Sequence, residues 1–169
     1  MTKLLAFIGV VAILIAAAAG VFFLGGFFNI AATEHDPDIV NRVLIQTRMA
    51  SIARHSRDIK EPQLAANDHQ AGARAYNTRG CVNCHGAPGT EWAKWSEGLN
   101  PDPPDLKEIV PKREARELFF VVKNGIKMTG MPSFGASGMA DDEAWKVVAF
   151  LKKLPTVTEA EYKAWTAGP

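Results

Sequence analysis

Between Leu4 and Phe28 the chain runs for 25 residues, "LLAFIGVVAILIAAAAGVFFLGGFF", without a charged or strongly polar side chain. Such a stretch has few options. Coiled as a helix it extends about 37 Å, enough to cross the hydrocarbon core of a bilayer with some tilt. The alternative is a cleaved secretory signal, because Lys3 supplies a short positive start and Ala17-Ala18-Ala19 a small-residue cleavage site. Cleavage there leaves the strongly apolar "GVFFLGGFF" as an exposed N-terminus, which favours an uncleaved anchor through residues 4–28. A buried core helix fits poorly with so long an apolar run at an extreme end. Lys3 precedes the span, and Glu34, Asp36 and Asp38 follow it, which keeps the N-terminus cytoplasmic. Anchor or signal, residues 31–169 cross the membrane. We expect a single-pass protein of the cytoplasmic membrane with its bulk on the periplasmic side.

Three segments follow from punctuation and periodicity: an anchor at 1–30, a linker with an amphipathic helix at 31–66, and a compact domain at 67–169. Over residues 39–60, Ile45, Met49, Ile52 and Ile59 share one stripe, with Arg42, Arg48, Arg54 and Arg57 elsewhere around the helix. Such a stripe most simply packs on its own domain, and Pro62 is expected to end the helix. In the domain, "ANDHQAGARAYNTR" begins behind Asn67 or Asp68 and stops at Gly80. "PKREARELFFVVKNG" has Pro111 in its first turn and Asn124-Gly125 as its stop. "DDEAWKVVAFLKKLP" places acids in its first turn and lysines in its last, in accord with the helix dipole. Thr158 and Glu161 form a capping-box pattern before a short last helix. No strand-like alternation of useful length appears. The expectation is an all-α domain of about three to five short helices.

Charge excludes one class of partner. The chain has 19 Lys+Arg against 18 Asp+Glu and no basic stripe, so nucleic acid is not expected.

Both cysteines lie in "CVNCH", residues 81–85. A thioredoxin-like pair needs a βαβ setting that the pattern lacks. A structural zinc site needs four ligands, and beyond His85 only His35, His55 and His69 remain, with no second cysteine pair. A disulfide across two residues staples little and leaves the histidine unexplained. One use employs every residue: in C-x-x-C-H the two thiols bond the vinyl groups of haem, and the adjacent imidazole becomes an axial iron ligand. One such motif implies one covalent haem c through Cys81 and Cys84, with His85 as a metal ligand. Haem is attached outside the cytoplasm, in agreement with the export argument. For the sixth ligand the candidates are Met49, Met128, Met131, Met139 and the remaining histidines. Met131, in "GIKMTGMPSFG", is favoured because Pro132 restricts the residue before it and stiffens the loop. Met139 reads as core filler.

From about residue 68 to 155 the chain resembles a class I c-type cytochrome, the small mono-haem electron carriers. "CVNCHG", "PPDL" and "TGMPSF" carry the resemblance, supported by Gly72 and Tyr76 in the first helix and "VVAFLKK" in the late one. The resemblance implies the class I cytochrome c fold, with first and last helices crossing so that Gly72 and Tyr76 meet Phe150 and Leu151. It implies His85 proximal and Met131 distal, the Pro104 carbonyl accepting the His85 Nδ1 proton, and Leu106 against the haem edge. Tyr76 stands one residue further from Cys81 than the family pattern, which points to a bulge at Arg79-Gly80. The resemblance does not reach residues 1–66.

The expected function is one-electron transfer, as a membrane-tethered carrier or as the cytochrome subunit of a respiratory or dehydrogenase complex. No small-molecule substrate is expected, and the chain is read as an electron carrier rather than an enzyme. Partners would be membrane-bound redox proteins: a quinol-oxidising complex, a terminal oxidase or a dehydrogenase. The alternative is a haem-based ligand sensor or peroxidase with a labile sixth site, for which no distal acid/base pair is visible. From residue 70 onward 13 basic and 12 acidic side chains nearly cancel. Lys94, Lys123, Lys127 and Lys146 are candidates for a positive haem rim, against a simpler mixed solvated surface. Trp92 or Trp95 would either donate an N–H to a haem propionate or form an aromatic lid.

Overall fold

The computed structural model describes residues 2–168, and their regular structure is helical; among them there is no strand, only an isolated bridge between Ala87 and Thr90. The chain divides into two compact units, one ending at His35 and the other beginning at Asp36.

The first unit is built on α1 (Thr2–Leu24), which is long and apolar enough to cross a membrane and buries none of its side chains within the chain. Backbone groups in hydrocarbon must be satisfied internally, and a helix does this. It ends where Gly25 N–H bonds the Val21 carbonyl at 2.8 Å and Gly26 takes φ +76°.

The second unit contains α2 (Asp38–His55), α3 (Asp68–Thr78), α4 (Cys81–His85), α5 (Leu106–Ile109), α6 (Ala115–Asn124), α7 (Asp141–Lys153) and α8 (Glu159–Thr166). Its centre is the crossing of α3 on α7. Gly72 makes that crossing possible, since a Cβ there would collide with the Lys146 carbonyl and lie 3.0 Å from Phe150 Cβ. One turn on, the buried Tyr76 ring packs 5.2 Å from that of Phe150. α6 joins α7 through Phe119, stacked on Trp145 at 4.3 Å, and α8 closes over α3 with Tyr162 5.8 Å from Phe150. Met139 is buried in this core, as its sequence context suggests. The Thr158–Glu161 box forms: Thr158 N–H donates to Glu161 Oε2 at 2.9 Å, and Glu161 N–H to Thr158 Oγ1 at 3.3 Å.

Two helix boundaries depart from expectation. α6 starts at Ala115, because Pro111 lies in a separate 3-10 turn, Val110–Lys112. Its N-cap is Glu114, whose N–H is accepted by Glu117 Oε2 at 3.1 Å. α2 stops at His55, well before Pro62, where Ser56 caps it and Ile59 N–H turns back to the Ser56 carbonyl at 3.1 Å. The expected stripe is partly used. Ile52 is buried, Ile59 packs on the core, His55 stacks 6.0 Å over Phe120, and Arg116 Nη1 donates to the Arg57 carbonyl at 3.0 Å. α2 also has a second apolar side, Ile39, Val40, Val43 and Leu44, which is exposed.

Candidate functional site

The site starts at a break. α3 ends at Thr78 with Arg79 as its cap, and Gly80 takes the left-handed φ of +80° before the single turn of α4 begins. The expected irregularity at Arg79-Gly80 is therefore a full change of helix. Arg79 is held to α7 by two parallel bonds, Nε to Glu143 Oε1 at 2.8 Å and Nη2 to Oε2 at 2.7 Å. α4 thus enters at a fixed angle. Cys81 and Cys84 lie one turn apart with no disulfide between them, and His85 follows directly. Gly86, at φ +62°, turns the chain away, and its carbonyl accepts the Tyr76 hydroxyl at 2.7 Å. A buried hydrogen bond of this kind contributes about 1 kcal/mol. Tyr76→Phe should therefore lower thermal stability by several degrees in a melting experiment, with the haem spectrum little changed.

The "PPDL" segment positions the histidine. Asp105 Oδ1 accepts the Lys107 N–H at 2.8 Å and starts α5, while the half-buried Leu106 packs on the core. This leaves the Pro104 carbonyl 3.1 Å from His85 Nδ1. A carbonyl only accepts, so Nδ1 carries the proton and Nε2 keeps its lone pair. Burial pushes the His85 pKa down, and the bond to Pro104 partly opposes it. The balance favours neutral imidazole, the form that binds metals. Burial also pushes the Cys81 thiol up to about 12 and raises that of Cys84, so neither is a thiolate at neutral pH.

The loop after α6 fixes Met131. Its N–H is accepted by Thr129 Oγ1 at 3.1 Å, its carbonyl accepts the Ile126 N–H at 3.1 Å, and Thr129 Oγ1 donates to the Ile126 carbonyl at 2.8 Å. Gly125 lets this loop press against the end of α6: at φ +67° its missing Cβ would lie 2.6 Å from the Pro132 carbonyl carbon. Ser133 Oγ then donates to the Lys123 carbonyl at 2.8 Å. Met131 is half-buried, whereas Met128 is 95% exposed, which separates the two methionines. Thr129 and Ser133 belong to "TGMPSF" and Gly125 reads as a helix stop, but their role as supports of Met131 emerges only in the fold.

His85 lines two open clefts, one of about 280 Å³ with Cys84, Trp92, Glu97, Asp102 and Pro104, and one of about 380 Å³ with Ala87, Glu91, Lys107 and Leu154. Met131 is in the lining of neither. Its loop reaches the same region through Gly130, where a Cβ would stand 2.7 Å from Leu99 Cδ1 on the loop that carries Trp92 and Trp95. Trp92 Nε1 donates to Glu97 at 3.3 Å, and both indoles are more than half exposed.

A family model described as Cytochrome C oxidase, cbb3-type, subunit III matches residues 67–151, half of the chain. The chain belongs to this family. It is a c-type cytochrome with an apolar helix at its N-terminus, and its domain performs haem-based electron transfer. No curated protein and no solved structure matches it. The donor set fits haem c: two thiols one turn apart, a neutral imidazole with Nε2 free, and open space beside Cys84 and His85.

The lysines suggested as a positive rim are mostly engaged. Lys94 pairs with Glu97 at 2.6 Å, Lys123 with Asp141 at 2.6 Å, and Lys146 with Asp142 at 3.1 Å. The surface is mixed.

Proposed function

We propose that the cytochrome holds a single haem c through thioethers at Cys81 and Cys84, with His85 and Met131 as its axial ligands. When bound, haem supplies a reversible one-electron couple. The contribution of the chain is positional. α4 sets the two sulfurs on one side of a turn, the Pro104 carbonyl fixes the imidazole tautomer and strengthens the ring as a donor, and Leu106, packed on the core, would lie against the haem edge. The Thr129–Ile126 bonds hold the Met131 backbone, so the thioether has little freedom to lose on binding iron. With both axial positions filled by protein, no site remains open for a substrate, and the chain relays electrons without being an enzyme itself. The single observation that carries this reading is the 3.1 Å contact from His85 Nδ1 to Pro104 O, which leaves Nε2 for a metal.

The haem domain, 67–169, lies on the periplasmic side, with residues 4–28 in the cytoplasmic membrane and 31–66 between. The family name refers to a subunit of an oxidase, which supports a membrane-bound terminal oxidase as partner; a quinol-oxidising complex or a dehydrogenase is the other class. Tethering confines the carrier near such partners and raises its effective concentration. Two experiments test this. Purified protein denatured in acid should retain the mass of one haem, and a chain of bare polypeptide mass overturns the reading. Replacing residues 1–28 by a cleavable secretory signal should move the haem protein from the membrane to the soluble periplasmic fraction with its spectrum unchanged. A full-length product already soluble and lacking its first residues means the segment is a signal instead.

A further inference from the structure

The wall of the site nearest Cys84 and His85 is acidic and aromatic. Between Gly86 and Ile109 the sequence places five carboxylates, Glu91, Glu97, Asp102, Asp105 and Glu108, against only Lys94 and Lys107. This bias is local, since the whole chain has a formal net charge of +1. Four of the five carboxylates line the two clefts that His85 lines. Lys94 does not offset them all, because its ammonium is spent on Glu97 at 2.6 Å. Among these acids stand Trp92 and Trp95, 51% and 62% exposed. Large exposed indoles are the side chains that most often anchor protein–protein contacts. The Met131 loop, which meets this wall at Gly130 and Leu99, adds one charge, Lys127, between Gly125 and Gly138.

We propose that Trp92 and Trp95, with the carboxylates of Glu91, Glu97, Asp102 and Asp105, form the docking surface for a redox partner that presents lysines and arginines around its own redox centre. The occupant follows from charge complementarity: an acidic rim speeds encounter with a cationic surface and slows an anionic one. The indoles supply apolar contact where the two redox centres come closest. The proposal rests on the haem being held at Cys81, Cys84 and His85, since that is what places this wall beside the electron's exit.

Two measurements on the full-length protein in neutral detergent test it. In the first, the reduced protein is oxidised by tris(phenanthroline)cobalt(III) or by ferricyanide. One electron leaves ferrous haem in each case, giving ferric haem with cobalt(II) or ferrocyanide, and no atom or proton is transferred. The cationic oxidant should react about tenfold more slowly when ionic strength rises from low to near-physiological, with the opposite trend for ferricyanide. The double variant Glu91→Lys/Asp102→Lys should flatten or reverse both trends, although the haem carboxylates are the same in variant and wild type. In the second, indole N–H resonances are followed while a decalysine peptide is added. Trp92 and Trp95 should shift and the buried Trp145 should not; decaglutamate should move none of them. Salt-independent rates, variants that behave as wild type, or indoles that ignore decalysine overturn the proposal. Loss of the underlying reading looks different: the protein then has no covalent haem and no c-type spectrum, whereas a haem protein with unresponsive indoles removes the docking surface alone.

Discussion

Met131→Ala is expected to keep its haem, bind carbon monoxide rapidly when reduced, and lose the far-red sulfur-to-iron band of the ferric protein. Its reduction potential should fall by on the order of 0.2 V, within the ~0.8 V range that axial ligands span, because a methionine ligand raises the potential. The fold should survive. Met131 is half-buried in a loop whose bonds come from backbone and from Thr129, Ser133 and Gly125, none of which the substitution touches. Potentiometric titration and a carbon monoxide difference spectrum check the result. A variant with an unchanged potential and no carbon monoxide binding would show that another side chain is the sixth ligand. Met128 is then a poor substitute, since it is 95% exposed on a backbone with φ +57°.

Gly72→Ala should destabilise the domain by about 3 kcal/mol or more, although glycine to alanine within a helix ordinarily stabilises by about 1 kcal/mol. The sign is decided by what the methyl meets. It would strike the Lys146 carbonyl, which is helix backbone and cannot turn aside, so α3 and α7 must separate along their whole crossing. Tyr76 and Phe150 lie in the same interface and would lose contact together. Against a typical domain stability of 5–15 kcal/mol this is a large fraction. Denaturant unfolding followed by the haem band measures it. A midpoint equal to or above that of wild type would mean that the helices do not approach as closely as described.

Gly72 shows what was legible and what was not. Its place in a helix can be read from neighbouring residues, and its role at a crossing came from a resemblance, but its contact with Lys146 is set by residues 74 positions apart. "CVNCH", "PPDL" and "TGMPSF" each report a local geometry, namely a single turn, a capped proline carbonyl and a stiffened loop, so short patterns suffice to read them. Leu99 against Gly130 is the opposite case: two loops meet, and neither has a period that announces the other. The start of α6 was hidden for a different reason. Glutamate at the N-cap is a weak signal beside a proline three residues earlier, and Pro111 belongs to its own short turn. α2 was readable as a helix whose stripe packs on its own domain, as Ile52 and Ile59 do, but its second apolar side was not. Its apolar residues lie on two sides, and only the fold shows that Val40, Val43 and Leu44 stay exposed while the stripe with Ile52 packs inward.

The most direct test of His85/Met131 ligation and electron transfer is the absorption spectrum of the purified protein, ferric and ferrous, with and without carbon monoxide. The account predicts a c-type reduced spectrum, a far-red sulfur-to-iron band in the ferric form, and no reaction of the native ferrous protein with carbon monoxide. Rapid carbon monoxide binding would contradict it, because the sixth position would then be open and the protein suited to sensing a ligand or activating peroxide.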